Sequence, residues 1–252
     1  MSNTYLSVII PSYNEDKNFA RGSLNEVINF LQKQSYTWEV ILSDDGSKQE
    51  FVDKLVGFAK QDERIIVLKN KHAGKAATVK AGMLAAKGEW RLFSDFDQST
   101  PLEDVNKLLK YAESGFEVII GSREMIGATR EQEPWYRHLM GRVFNLVVQI
   151  FTIPGILDTQ CGFKLFSAAA AEQLFSKLVV YGADKPKKSA FTGAFDVEVL
   201  YLAKKLGFKI CEIPVKWQHH ETDRVNPLRD SVIMFVDILK IRLADMRGQY
   251  HK

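Results

Sequence analysis

Asp95 and Asp97, one residue apart in Phe93-Ser94-Asp95-Phe96-Asp97-Gln98-Ser99-Thr100-Pro101, are the pair whose types and spacing suit chemistry. Two carboxylates so placed can share one divalent cation. Mg²⁺ or Mn²⁺ is commonly held by one or two carboxylates plus substrate phosphates, which points to a nucleoside-diphosphate site. The same spacing also serves loop solvation and helix capping, so the pair needs context. Its setting supplies some: Glu89 to Phe93 reads as a buried strand, while Thr100, Pro101 and Glu103 supply an N-cap, a first-turn proline and a capping-box partner for a new helix. The acids therefore end a strand, where ligands bind in open parallel sheets.

The elements before this pair alternate. Leu6 to Pro11 is a first strand, followed after Ser12-Tyr13-Asn14-Glu15 by a helix from a Ser23/Glu26 capping box with Leu24, Val27, Ile28 and Leu31 on one face. Glu39 to Ser43 is a second strand ending in Asp44-Asp45-Gly46-Ser47, followed by a helix carrying Phe51, Leu55 and Phe58. Arg64 to Lys69 is a third, and the loop Asn70 to Lys75 leads into a helix to Lys87. Four strands alternating with helices predict a parallel, helix-covered sheet. Glu117 to Gly121 is a fifth strand, after which the alternation fails. Gly127 to Glu133 reads as a polar, mobile segment and Trp135 to Phe151 as an amphipathic helix. Asp158 to Lys164 reads as a compact turn, and Phe195 to Leu206 as a helix closed by Gly207. Phe208 to Trp217 is a strand whose Pro214 suits an edge, and Asp230 to Arg247 is a last helix.

Composition narrows the class. With 252 residues, 46% of them hydrophobic and 26% charged, the chain has the make-up of a folded α/β protein. A net charge of +3 from 34 basic and 31 acidic residues does not imply nucleic acid. Cys161 and Cys211 lack metal-ligand spacing, which disfavours a disulfide framework or structural zinc and suits a reducing compartment. Neither a signal peptide nor an N-terminal anchor is visible at Met1 to Thr4. Val143 to Leu157, the most apolar stretch, is interrupted by Asn145, Gln149, Pro154 and Gly155 and falls short of the ~20 apolar residues of a spanning helix.

Taken together, Ser7 to Glu15, Leu42 to Ser47, Gly74-Lys75, Asp95-Phe96-Asp97, Gly121-Ser122-Arg123, Asp158-Thr159-Gln160-Cys161-Gly162-Phe163-Lys164, Phe195 to Glu198 and Arg224 to Asp230 run in the order found in one enzyme family. The chain resembles the family 2 glycosyltransferases of the GT-A fold, and within them the branch that moves a sugar onto dolichyl or polyprenyl phosphate. The later stretches, Asp158 to Lys164 above all, look like its β-glucosyl-transferring members. The resemblance implies a Rossmann-like, mostly parallel central sheet with helices on both faces. It also implies a GT-A domain over 1–226, divided into a nucleotide-sugar half (1–97) and an acceptor half (98–226), and a C-terminal amphipathic helix over 227–252.

The resemblance also implies roles. Pro11, Tyr13 and Glu15 would line the nucleoside pocket, and Asp45 would accept a hydrogen bond from a uracil imide. Lys75 would approach the nucleotide at a base edge or a phosphate. Asp95 would contact ribose or metal, and Asp97 would coordinate the Mg²⁺ or Mn²⁺ that bridges the diphosphate. Arg123 and Arg224 are the candidate phosphate clamps, since a guanidinium fork matches phosphate oxygens. Asp196 stands where relatives acting on hydroxyls keep a base; proton handling or acceptor positioning and simple helix capping are its two readings. Glu198 reads as structural, Gln98 and Gln160 as sugar contacts or loop caps, and His72 as a phosphate contact. His219 and His220, beside Glu221 and Asp223, read as a polar loop in preference to a metal cluster.

The expected activity is an inverting, metal-dependent transfer of one hexose, favouring glucose from UDP-glucose, onto a polyprenyl or dolichyl phosphate. The alternatives are GDP-mannose or another UDP-sugar as donor, a glycan hydroxyl as acceptor, or a silent nucleotide-sugar-binding protein. No Gly-x-Gly-x-x-Gly follows the first strand and no Walker loop occurs, which disfavours dehydrogenases and P-loop enzymes. The basic amphipathic helices 135–151 and 230–247 suit peripheral contact at the cytoplasmic face of a membrane, and equally packing into the core or a homodimer interface.

Overall fold

The computed structural model describes residues 4–131, 142, 145–146, 148–182, 194–219 and 227–251. The strands in chain order are β1 (Leu6–Ser12), β2 (Trp38–Asp44), β3 (Ile65–Lys69), β4 (Trp90–Ser94), β5 (Val118–Ser122), β6 (Thr129–Glu131), β7 (Phe163–Ser167), β8 (Ile210–Pro214) and β9 (Lys216–Gln218). Seven form one sheet in the order β3-β2-β1-β4-β7-β5-β8, and β6 pairs with β9 in a separate ribbon. Pairing in the large sheet is parallel except along both edges of β7. The helices are α1 (Asp16–Arg21), α2 (Ser23–Leu31), α3 (Gln49–Ala59), α4 (Lys75–Ala85), α5 (Val105–Glu113), α6 (Ala168–Ser176), α7 (Phe195–Lys205) and α8 (Pro227–Met246).

Strand periodicity divides the core in two. Successive side chains of a strand point to opposite faces, so Val8 and Ile10 enter one layer and Ile9 the other. The first layer holds Leu24 and Val27 of α2, Phe51 and Leu55 of α3, and Leu108 of α5. The second holds Val79 and Met83 of α4, Leu174 and Phe175 of α6, and Val199 of α7. Each such side chain contributes roughly 1.5–3 kcal/mol on burial, and together they explain why helices cover both faces of the predicted mostly parallel sheet. β1 lies between β2 and β4; the connection after β1 runs to β2 and the one after β4 runs the other way to β5, the switch at which open sheets form a crevice at their strands' carboxyl ends. Asp44 and Asp45 end β2 there, and Asp95 and Asp97 follow β4.

Several local expectations are corrected. The Ser23/Glu26 capping box does not form: Gly22, at φ 90°, breaks the segment into α1 and α2, and the Ser23 hydroxyl donates to Asn18 O at 2.9 Å. The Thr100-Pro101-Glu103 start is a 3₁₀ turn over Leu102–Asp104 without a side-chain cap, and α5 begins at Val105. There the Asp104 carboxylate is drawn to Lys216 N, 2.9 Å away. Within the segment expected to be mobile, Thr129–Glu131 is β6, held by pairing with β9. The strand expected over 208–217 splits at Val215; its first part, β8, carries Pro214 on the sheet edge as anticipated. The turn expected at 158–164 runs into β7, the antiparallel strand inserted between β4 and β5. A run as short as Phe163 to Ser167, with a lysine inside it, carries little periodic signal. Of the helix expected over 135–151, only 142, 145–146 and 148–151 fall among the described residues.

Candidate active site

The ends of β1 and β2 are tied together by short polar bridges. Asp45 N donates to Ser12 O at 2.9 Å, Asn14 N to the Ser47 hydroxyl at 2.9 Å, and Lys48 N to Asn14 Oδ1 at 2.9 Å. Asn14 takes φ 50°, a left-handed turn that asparagine tolerates, and brings Tyr13 over the loop that follows β3. There the Tyr13 and His72 rings stack at 4.5 Å and 21°. Pro11 lies buried within β1, one residue before its end, and Glu15 accepts from Asn18 Nδ2 at 2.7 Å.

Asp45 is engaged by its own surroundings. Its Oδ1 accepts from Ala73 N at 2.9 Å and Gly74 N at 3.1 Å, and its Oδ2 lies 3.0 Å from His72 Nδ1. The carboxylate expected to read a uracil edge thus anchors the loop entering α4. This anchorage places Lys75, the first residue of α4, where its ammonium pairs with Asp95 and lies 5.1 Å from the centre of the Phe93 ring. Burial opposes charge on Lys75, but Asp95, Asp196 and Asp97 outweigh it and hold its pKa above the ordinary lysine value.

Asp95 and Asp97 come together on one turn. Asp95 N donates to Gly162 O at 3.1 Å, and the Asp95 carboxylate fills the space a Cβ on Gly162 would take. Asp97 Oδ1 accepts from Ser99 N at 2.9 Å, and the Asp97 carbonyl from the Arg21 guanidinium. Burial, then repulsion from Asp95, pushes the Asp97 carboxyl above its ordinary pKa. A turn that brings two carboxylates together has the donor chemistry of a hard divalent cation site. No cluster of three or more His, Cys, Asp or Glu with metal-ligating geometry occurs among the described residues.

The opposite wall is built from ion pairs. Arg123 follows β5 and grips Asp158 with Nε to Oδ2 at 2.7 Å and Nη2 to Oδ1 at 2.8 Å, its guanidinium 5.3 Å from the Trp217 ring centre. Burial disfavours the Asp158 charge, but Arg123 reverses that and lowers its pKa to about 2. Glu212 of β8 supports the same turn, accepting from Leu157 N at 2.7 Å and Asp158 N at 2.9 Å. The residue expected to clamp phosphate therefore braces the turn. Arg224, with His220, Glu221 and Asp223, lies outside the described residues.

Asp196 corrects one of its two readings. The N-cap of α7 is Ala194 with no side-chain cap, and Asp196 instead pairs with Lys164 Nζ at 2.6 Å. Glu198 is structural as expected: fully buried, it accepts from Val179 N, Val180 N and Tyr181 N at 2.8, 2.8 and 2.9 Å, and from the Tyr250 hydroxyl at 2.7 Å. His72 faces Asp45 and Tyr13, while His219 lies against Trp217 at 5.7 Å. Sequence reasoning passed over Lys164. The available signal was a single lysine inside Phe163-Lys164-Leu165-Phe166, since a charge in an apolar run is buried only if paired.

Comparison with known proteins agrees with this geometry. Residues 7–175 match the family described as Glycosyl transferase family 2. The chain is 32% identical over 263 residues to a dolichyl-phosphate beta-glucosyltransferase of Dictyostelium discoideum, covering 98% of this chain and 77% of that protein. It is also 32% identical over 266 residues to the dolichyl-phosphate beta-glucosyltransferase of Saccharomyces cerevisiae, with coverages of 98% and 76%. In fold it is similar to glucosyl-3-phosphoglycerate synthase from Mycobacterium tuberculosis, crystallised with Mn²⁺, UDP-glucose and phosphoglyceric acid. That match has a TM-score of 0.62 at 16% identity and covers 96% of this chain and 79% of the other. A family match over more than half of the sequence and near full-length kinship with curated members lead to one conclusion: the chain is a member of the family 2 glycosyltransferases, with their GT-A fold.

Proposed function

We propose that the protein transfers one glucose from UDP-glucose to a dolichyl or polyprenyl phosphate, with inversion at the anomeric carbon. The observation that carries this reading is the near full-length similarity to dolichyl-phosphate beta-glucosyltransferases, joined to an acid pair at the crevice of the sheet. In the reaction an acceptor phosphate oxygen forms a bond to the anomeric carbon, the bond from that carbon to the diphosphate breaks, and the nucleoside diphosphate departs with the electron pair. A phosphate monoester, with a second pKa of about 6, is already largely ionised near neutral pH, so a strong base is dispensable.

On this reading Pro11, Tyr13, Glu15 and Asp45 bound the nucleoside site, and Lys75 faces the diphosphate. Asp95 and Asp97 hold Mg²⁺ or Mn²⁺, which when bound offsets charge growing on the departing diphosphate. Arg123 and Arg224 serve phosphate recognition, Arg123 by exchanging part of its Asp158 contact. Asp196 lies on the acceptor side. The domain division is 1–97 for the nucleotide sugar and 98–226 for the acceptor, with 227–252 appended.

The helix α8 supports a peripheral membrane site. Its inner face buries Ile238, Ile241 and Ala244, while Val232, Phe235, Leu239, Leu243 and Met246 face solvent beside exposed Lys240 and Arg247. A helix apolar on two faces needs a second cover, and a lipid surface supplies one next to an insoluble acceptor. Among the described residues no helix is long and apolar enough to cross a membrane. Flotation with anionic liposomes carrying polyprenyl phosphate tests this: association is expected, and its absence would count against it.

The activity is tested with radiolabelled UDP-glucose, GDP-mannose and UDP-N-acetylglucosamine on a short polyprenyl phosphate with Mg²⁺ or Mn²⁺, followed by organic extraction. Label in the organic phase from UDP-glucose is expected. Label from another donor alone would reassign the sugar, and no extractable label despite nucleotide binding would reject a lipid-phosphate acceptor.

A further inference from the structure

Lys164 has no part in the roles assigned above, yet it is among the most thoroughly buried charges of the chain, with 1% of its surface exposed. It stands in β7 directly opposite Phe93 of β4, and its ammonium lies 5.8 Å from the Phe93 ring centre. From there it donates to Asp196 Oδ1 at 2.6 Å and to the Cys161 carbonyl. Taking an ammonium out of water costs several kcal/mol, and an apolar side chain would fill the same space without that cost. Packing alone therefore does not account for a lysine here.

Its two contacts join α7 to the turn that enters β7, both beside the acid pair. Asp196 belongs to the first turn of α7, and Cys161 to the turn whose Gly162 presses on Asp95. On the far side, Lys75 pairs with Asp95 and also feels the charges of Asp196 and Asp97. Charges thus alternate from Lys164 to Asp196, Lys75 and Asp95 across the site. We propose that Lys164 is a positioning residue for sugar transfer: by holding the Asp196 carboxylate and the Cys161 carbonyl together, it fixes the acceptor wall at one distance from the acid pair. The inference rests on the reading that Asp196 lies on the acceptor side. The function is orientation, where a misplacement of about 1 Å costs on the order of 100-fold in rate.

The test is a double-mutant cycle in the full chain with K164M, D196N and the double variant. It reads kcat and KM for donor and acceptor by the extraction assay, the Kd for UDP with Mn²⁺, and the unfolding midpoint. K164M is expected to lower kcat about 100-fold while the Kd for UDP stays within about twofold. The double variant should be no more than about threefold worse than the poorer single variant. K164Q, which keeps a donor without the charge, should recover part of the loss, and it replaces K164M in the cycle if that variant does not fold. A kcat for K164M within about threefold of wild type, or a double loss equal to the product of the single losses, would overturn the proposal. A lowered midpoint with the kcat of the folded fraction intact would overturn it too, leaving a structural brace. Absence of lipid label from the wild-type protein would instead reject the acceptor reading. The cycle is then read on hydrolysis of UDP-glucose to glucose and UDP, where equal rates across the variants would overturn the role of Lys164.

Discussion

The two halves of the crevice hold their charges by different means. On the side of β1, β2 and β4, three carboxylates are held by backbone amides, Asp44 by Ser47 N, Asp45 by Ala73 N and Gly74 N, and Asp97 by Ser99 N, with Asp95 on Lys75 as the exception. On the side of β5, β7 and α7, the charges nearest the acid pair meet side chain to side chain, with Arg123 on Asp158 and Lys164 on Asp196. Amide-held acids keep their place whether or not a cation or phosphate is bound. Charge pairs are broken by removing either partner, and a phosphate competes for the cation of such a pair. On the proposed function the first wall would hold the nucleotide and the second would rearrange around an anionic acceptor.

The comparison is broken most severely at Asp97. Asp97→Asn should lower kcat on the order of 1000-fold and leave the unfolding midpoint unchanged, because its carboxylate makes one short-range amide contact. Full activity in the transfer assay would remove Asp97 from the metal site.

A carboxylate of α7 that is held by backbone shows the cost of losing such bonds. Glu198→Gln should destabilise the fold by about 3 kcal/mol, because three amides and a tyrosine hydroxyl converge on a fully buried acid. Urea unfolding measures it, and a change below about 1 kcal/mol would show that the amide of glutamine serves equally well.

The charge-paired wall should betray itself in acid. Asp158 has a folded-state pKa of about 2 against 3.8 for the free side chain. Its stabilisation is fully present above the unfolded value and is lost as pH falls through the folded one, from roughly pH 4 to pH 2, amounting to about 2 kcal/mol. Thermal unfolding against pH should therefore show a shallower fall over that window in Asp158→Asn; an unchanged slope would contradict the pair.

The smallest effect sharpens the assignment of phosphate. Arg224→Ala should raise the KM for the lipid phosphate about tenfold with uridine affinity intact. Loss confined to uridine affinity would move Arg224 to the nucleoside wall.

Legibility follows the same divide. The strands ending at Ser12, Asp44 and Ser94 were readable because each is an apolar run followed by acids, polar turn residues and a helix. Asp95 and Asp97 were readable because both lie on one turn. The capping boxes at Ser23 and Thr100 misled, since Gly22 and Pro101 took the N-cap positions and neither helix start shows a side-chain cap. Strand β7 was hidden by its length and by Lys164.

By itself the sequence determined the parallel α/β order, the helix cover of the sheet and the position of the acid pair, because strand and helix periodicities and strand-end acids are local properties. Tertiary structure alone decided that Asp45 anchors the entry to α4, that Arg123 embraces Asp158, and that Lys164 pairs with Asp196 across 32 residues of chain. Those choices depend on which strand ends β7 brings side by side, and a buried charge takes whichever opposite charge the packing puts within reach.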